Sequence, residues 1–203
     1  MRQRRWQWTT WFSVAFVLML VGCNAPLLSG TSERTLRASG EWHLVESIDV
    51  PRVEGVSGCG AQALAAVMSY HDDSVSATTR AQALPWQDVG ATPVDLLLGA
   101  RSRGFKASIM SGSWEALDAS VQSSKPLLVM FDVSPQVQTL TSRVPTTTVM
   151  HWGVVNGLRQ DGTAVSVAGE DQRHHVIDRD EFMARWGTSD RCAILVTRTE
   201  DVP

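Results

Sequence analysis

The stretch Gly58-Cys59-Gly60-Ala61-Gln62-Ala63-Leu64-Ala65-Ala66-Val67-Met68-Ser69-Tyr70-His71 constrains this chain more than any other. A thiol stands between two glycines, and strong helix formers follow at once. Glycine on either side permits a sharp bend and lets another chain approach without meeting a β-carbon. From Ala61 to Met68, small and aliphatic residues cover most of the helical surface, as a helix buried between layers requires. The pattern predicts a helix from Cys59 to about His71, closed by Asp72-Asp73-Ser74. A cysteine in its first turn faces backbone N–H groups and the positive end of the macrodipole, and both favour thiolate over thiol. The bland alternative is a small buried hydrophobe, the usual fate of a cysteine in apolar surroundings.

The start of the chain reads as a targeting segment rather than as part of the fold. Arg2, Arg4 and Arg5 precede an apolar run from Trp11 to Val21, too short to span a bilayer but suited to a secretory signal. That run ends in Leu20-Val21-Gly22-Cys23, which resembles the bacterial lipobox. The resemblance implies cleavage before Cys23 and a lipid on its thiol. With Asn24 next, it also implies the outer membrane, facing the periplasm. Residues 1–22 are thus expected to be a lipoprotein signal peptide, 23–40 a small, polar lipidated tether, and 41–203 one domain. The formal net charge is −3, and losing three arginines makes the mature chain more acidic. With no basic run present, a nucleic-acid partner is not expected. The expected partners are a peptide or protein substrate and, through the lipid, a membrane. Cys59 and Cys192 then remain, and in an exported protein they have a structural disulfide as their alternative to thiol chemistry. Cys192, in an apolar strand, is expected to be reduced and buried away from Cys59.

Further along, Glu41 to Val50 suggests an edge strand or extended lead-in, ended by Pro51. Thr92-Pro93-Val94-Asp95 is a helix start with a cap, a first-position proline and a first-turn acid, and that helix stops at Gly104. Phe105–Met110 reads as a strand, and Ser113 with Glu115 opens a further helix limited by Pro126. Leu127–Val133 is a continuous apolar run of strand length, expected at the centre of a sheet. After a loop from Ser134 to Thr148, Val149–Leu158, the turn at Asp161-Gly162 and Thr163–Ala168 form a hairpin signal. His174–Ile177 suggests another strand, Asp178-Arg179-Asp180-Glu181 a capping box, and Cys192–Thr197 a last buried strand. Helices gathered first and antiparallel strands last make the expected class α+β.

His151 stands at the entry to the hairpin, where a strand fixes the backbone while the side chain faces a cleft. A helix carrying a thiol against a sheet carrying an imidazole is the arrangement of a thiolate–imidazolium pair. Such a base needs an orienting group, and Glu170 and Asp171 fall just past the following strand, where one would be sought. His174 and His175 with Asp171 or Asp178 suggest a metal only superficially, because adjacent residues on a strand point to opposite faces. No metal and no cofactor is expected. His43 and His71 read as surface or cap residues, and Trp86, Trp152 and Trp186 line a cleft or pack in the core.

The ordered set Val50-Pro51, Gly58 to Leu64, Thr92 to Leu97, Arg103 to Ala107, Pro126 to Val129, His151 to Gly157, and Asp180-Glu181-Phe182 with Arg185-Trp186, resembles the bacteriocin-processing (double-glycine leader) peptidases and their relatives in the papain-like superfamily. The resemblance covers nearly everything from residue 50 to 197. It implies a papain-like fold with N-terminal helices on a mostly antiparallel sheet, a cysteine nucleophile at Cys59 and a histidine base at His151. It also implies an oxyanion-stabilising glutamine, where this chain has Glu54. An ionised carboxylate there opposes a developing oxyanion, whereas a protonated one donates to it. The family's orienting aspartate aligns with Gly169 in strict strand register, leaving Glu170 and Asp171 as the candidates. The leading function is a membrane-anchored cysteine peptidase. The alternatives are a catalytically silent peptide-binding module of the same fold, and a cell-wall amidase or endopeptidase, whose usual Asp-Cys-Ser-Gly thiol setting is absent here.

Overall fold

The computed structural model describes residues 30–46, 48–53, 58–85, 90–134, 148–169 and 173–199. The short strand β1 (Gly30–Thr31) is followed by α1 (Glu33–Ser39) and β2 (Trp42–Leu44). Then come α2 (Cys59–His71), α3 (Ala77–Gln82), α4 (Pro93–Arg101), β3 (Phe105–Ser111), α5 (Trp114–Gln122) and β4 (Leu127–Asp132). The long β5 (Met150–Arg159), β6 (Ala164–Ala168), β7 (His174–Asp178), α6 (Arg179–Gly187) and β8 (Cys192–Arg198) complete the chain. The class is α+β, as expected.

One eight-stranded sheet organises these elements in the order β1-β7-β6-β5-β4-β8-β3, with every pairing antiparallel. Beyond the end of β4, β2 pairs with the far half of β5. β5 is therefore the central strand, and it is buried along nearly its whole length. Facing residues of an antiparallel pair share a side of the sheet, while successive residues alternate. Phe131 and His151 face one another across β4 and β5, and the Phe131 ring meets Phe182 of α6 at 6.0 Å. Trp152, one residue on, points to the other side, where its ring packs against Gly60 of α2. The thiol helix is fully buried from Gly60 to Met68.

Local chemistry explains the helix bounds. Thr92 accepts from the Asp95 N–H, and the Asp95 carboxylate accepts from the Thr92 N–H, so the start of α4 is a capping box. Asp178 caps α6 through the Asp180 N–H at 3.0 Å, and Glu181 pairs with Arg185 instead of reaching back. A capping box expected there is therefore a simple cap.

The segment read as a tether in the sequence carries structure from residue 30 onward. Ser32 caps α1, Gly40 ends it in the left-handed conformation, and Leu36 is buried. α3, capped by Ser76, had no counterpart in the sequence reading. The lipidation candidate Cys23 and the signal segment lie outside the described residues.

Candidate functional site

Cys59 opens α2. Its cap residue Gly58 makes no side-chain hydrogen bond, and the first turn of α2 holds no acidic residue, so the thiol stands at the positive end of the helix dipole. Gly58 has ordinary extended dihedrals (φ −88°, ψ 103°) and Gly60 lies within the helix, so neither glycine is needed for an unusual bend. Space is the reason for Gly60. A Cβ there would stand 2.9 Å from the Ala91 Cβ and 3.1 Å from the Trp152 ring, closer than packed carbons tolerate.

The thiol meets the sheet at β5. The backbone N–H of Trp152 donates to Cys59 Sγ at 3.3 Å, bridging residues 93 apart in sequence. Cys59 Sγ therefore lies against β5 one residue from His151. Its neighbour Trp152 sends its indole N–H to the Ala91 carbonyl at 2.9 Å, just ahead of α4. Three elements meet at one point: the thiol helix, the histidine strand and the cap of α4.

His151 is half-buried, with its ring edge-on to Phe131 at 5.9 Å. Burial, and secondarily the nearby His175, hold its pKa down at about 4. At neutral pH the imidazole is consequently uncharged. A neutral imidazole in this position can accept a proton. Asp132, one residue past Phe131, is committed to the turn that follows, accepting from the Ser134 N–H at 2.8 Å.

The remaining candidates divide clearly. Glu54, Glu170 and Asp171 lie outside the described residues, as does Trp86. Cys59 and Cys192 are not joined by a disulfide; each is a thiol. Cys192 sits half-buried at the start of β8, where burial pushes its pKa up. Trp186 is fully buried and donates to the Cys192 carbonyl at 2.9 Å, a core role. His43 is exposed, while His71 is buried at the end of α2 rather than at the surface.

A buried polar network that the sequence reading missed links β5, β6 and β7. Asn156, the extra residue of a bulge in β5, donates to His174 Nδ1 at 3.1 Å and accepts from Ser166 Oγ at 3.0 Å. With Nδ1 accepting, the proton sits on His174 Nε2, which is 3.8 Å from the Glu33 carboxylate of α1. The network ties α1 to the sheet. Glu33 and His174 also line a cleft of about 310 Å³ with Asp49, on the segment leading toward Cys59, and Ala168, whose partner Val154 is two residues from Trp152. A serine between Val165 and Val167 in a strand buried on both faces was the available signal; only the register reveals its partners.

No protein family's sequence profile matches the chain, and no curated protein sequence does either. Solved structures do match. A C39-like peptidase structure from Bacillus anthracis superposes with a TM-score of 0.56 at 18% identity, covering 76% of this chain and 96% of that one. A double glycine motif protease from an AMS/PCAT transporter, in complex with the leader peptide, gives 0.54 at 16% identity, covering 77% and 94%. The peptidase domain of Streptococcus ComA, a bifunctional ABC transporter of a quorum-sensing pathway, gives 0.52 at 16% identity, covering 74% and 97%. The fold is that of the papain-like C39 peptidase domains.

Proposed function

We propose that this chain is a cysteine peptidase in which Cys59 is the nucleophile and His151 the general base, tethered to the outer membrane through a lipid on Cys23 and facing the periplasm. One observation carries the catalytic part: the Trp152 N–H holds Cys59 Sγ at 3.3 Å on the strand that bears His151. In the proposed cycle, neutral His151 takes the thiol proton as sulfur attacks a peptide carbonyl. The amine leaves with that proton, and a thioester remains on Cys59. Water, deprotonated by the same imidazole, then hydrolyses the thioester and releases the acid. The backbone N–H of Cys59, at the start of α2, and Glu54 in its protonated form or a substitute stabilise the oxyanion. The double glycine motif protease with its leader peptide supports a peptide as the substrate class here.

A second reading, a silent peptide-binding module of the same fold, is favoured by the depressed pKa of His151, because a reactive ion pair is then not standing in advance. Cleavage of a peptide library separates the two. The peptidase reading expects turnover that Cys59→Ala abolishes and His151→Gln lowers by about 10²–10⁴. Binding of peptides without turnover, at any pH between 5 and 8, would leave the module.

A further inference from the structure

Trp152 is 4% exposed and, by its burial alone, an ordinary core tryptophan. Its connections are less ordinary. The indole N–H is spent on the Ala91 carbonyl at 2.9 Å, the ring edge closes on Gly60 in the first turn of α2, and the backbone N–H of the same residue points at Cys59 Sγ. The side chain is thus fixed at its far end to the loop that starts α4. This leaves the Trp152 backbone little freedom to move away from sulfur.

We infer that Trp152 is the positioning residue of the thiol, its indole anchored on Ala91 so that its backbone N–H stays on Cys59 Sγ and stabilises the thiolate formed when His151 takes the proton. A donor aimed at sulfur favours the charged form over the neutral one, because a hydrogen bond to an ion is worth more than one to a neutral group. The inference rests on the peptidase reading for its consequence in catalysis, but not for its effect on the thiol.

Trp186 supplies a matched control within the same protein. It too is buried, on α6, and donates its indole N–H at 2.9 Å to a backbone carbonyl, that of Cys192 at the start of β8. Trp152→Phe and Trp186→Phe therefore remove the same kind of bond. The measurement is the pH profile of iodoacetamide alkylation at Cys59, followed by peptide mass spectrometry, with thermal midpoints recorded alongside. Both variants are expected to lose some thermal stability. Only Trp152→Phe is expected to raise the midpoint of Cys59 alkylation, by about one pH unit, and so to slow labelling near neutrality about tenfold. On a cleaved peptide, the same variant lowers kcat with little change in KM. Replacing Trp152 by β-(3-benzothienyl)alanine, which keeps the ring shape and lacks the N–H, gives the same shift if the phenylalanine variant does not fold. Equal profiles for native protein and both Trp152 variants, or equal shifts for the Trp152 and Trp186 variants, overturn the assignment. A shifted profile in a protein that cleaves no peptide upholds the positioning role while the peptidase reading fails.

Discussion

Lowering the pH from 7.5 to 4.5 should destabilise this protein through His151. In the fold, burial and the neighbouring His175 hold the His151 pKa at about 4, against 6.5 for the free side chain. The unfolded chain therefore binds the proton first, and the stabilisation from keeping this imidazole neutral is complete above pH 6.5. It is lost progressively as the pH falls from 6.5 to 4. The gap of about 2.5 units, at about 1.4 kcal/mol per unit, gives roughly 3 kcal/mol, or about 2 when the solvent-facing part of the ring is allowed for. The carboxylates act lower down: hydrogen bonds from Ser74, then from Arg80, hold Asp72 at about 2, so its contribution fades only as the pH falls below its free value of 3.8. Urea unfolding of the native protein and of His151→Gln, at half-unit steps from pH 7.5 to 4.5, isolates the histidine. The native protein should lose about 2–3 kcal/mol more than the variant over that span. Parallel curves for the two proteins would refute the claim that His151 is neutral because it is buried.

Three other outcomes follow from the same contacts. Gly60→Ala should lower stability by about 1–3 kcal/mol in urea melts, because its Cβ has no room between Ala91 and Trp152. Asn156→Ala should cost about 1–3 kcal/mol and raise hydrogen exchange in α1, since His174 and Ser166 lose a buried partner and the link to Glu33 loosens. Cys23→Ser should abolish fatty-acid labelling in cells, because only a thiol forms the thioether; label persisting in that variant counts against the lipid anchor.

The parts of the fold that were legible were those written in local chemistry. The bounds of α2 follow from a glycine, a run of helix formers and the acidic turn after His71, and the start of α4 follows from Thr92, Pro93 and Asp95. The long hairpin of β5 and β6 was equally plain, being apolar on both sides of Asp161-Gly162. α1 and α3 were not, although each carries a serine cap. They have seven and six residues, too few to show a 3.6-residue period. Of the site, Cys59 and the strand of His151 were readable, because each sits at an element boundary with a recognisable pattern. What they touch was not. The bond from Trp152 to Ala91 spans 61 residues, and the Asn156–Ser166–His174 network depends on a bulge that sets three strands in register. The surroundings that hold the His151 pKa down were not readable either, because His175 comes from another strand.

The most direct test of the central claim is the rate at which a peptide-like epoxysuccinyl electrophile alkylates each cysteine at pH 7, read by intact mass and peptide mapping. Such reagents react with an activated thiol held beside a base and poorly with a buried structural one. A single adduct is expected, on Cys59, with half-buried Cys192 unlabelled. His151→Gln is also expected to slow that labelling by about 10²-fold or more while the fold is kept. Labelling of Cys59 no faster than of Cys192, or labelling indifferent to the loss of His151, would contradict a Cys59–His151 catalytic pair.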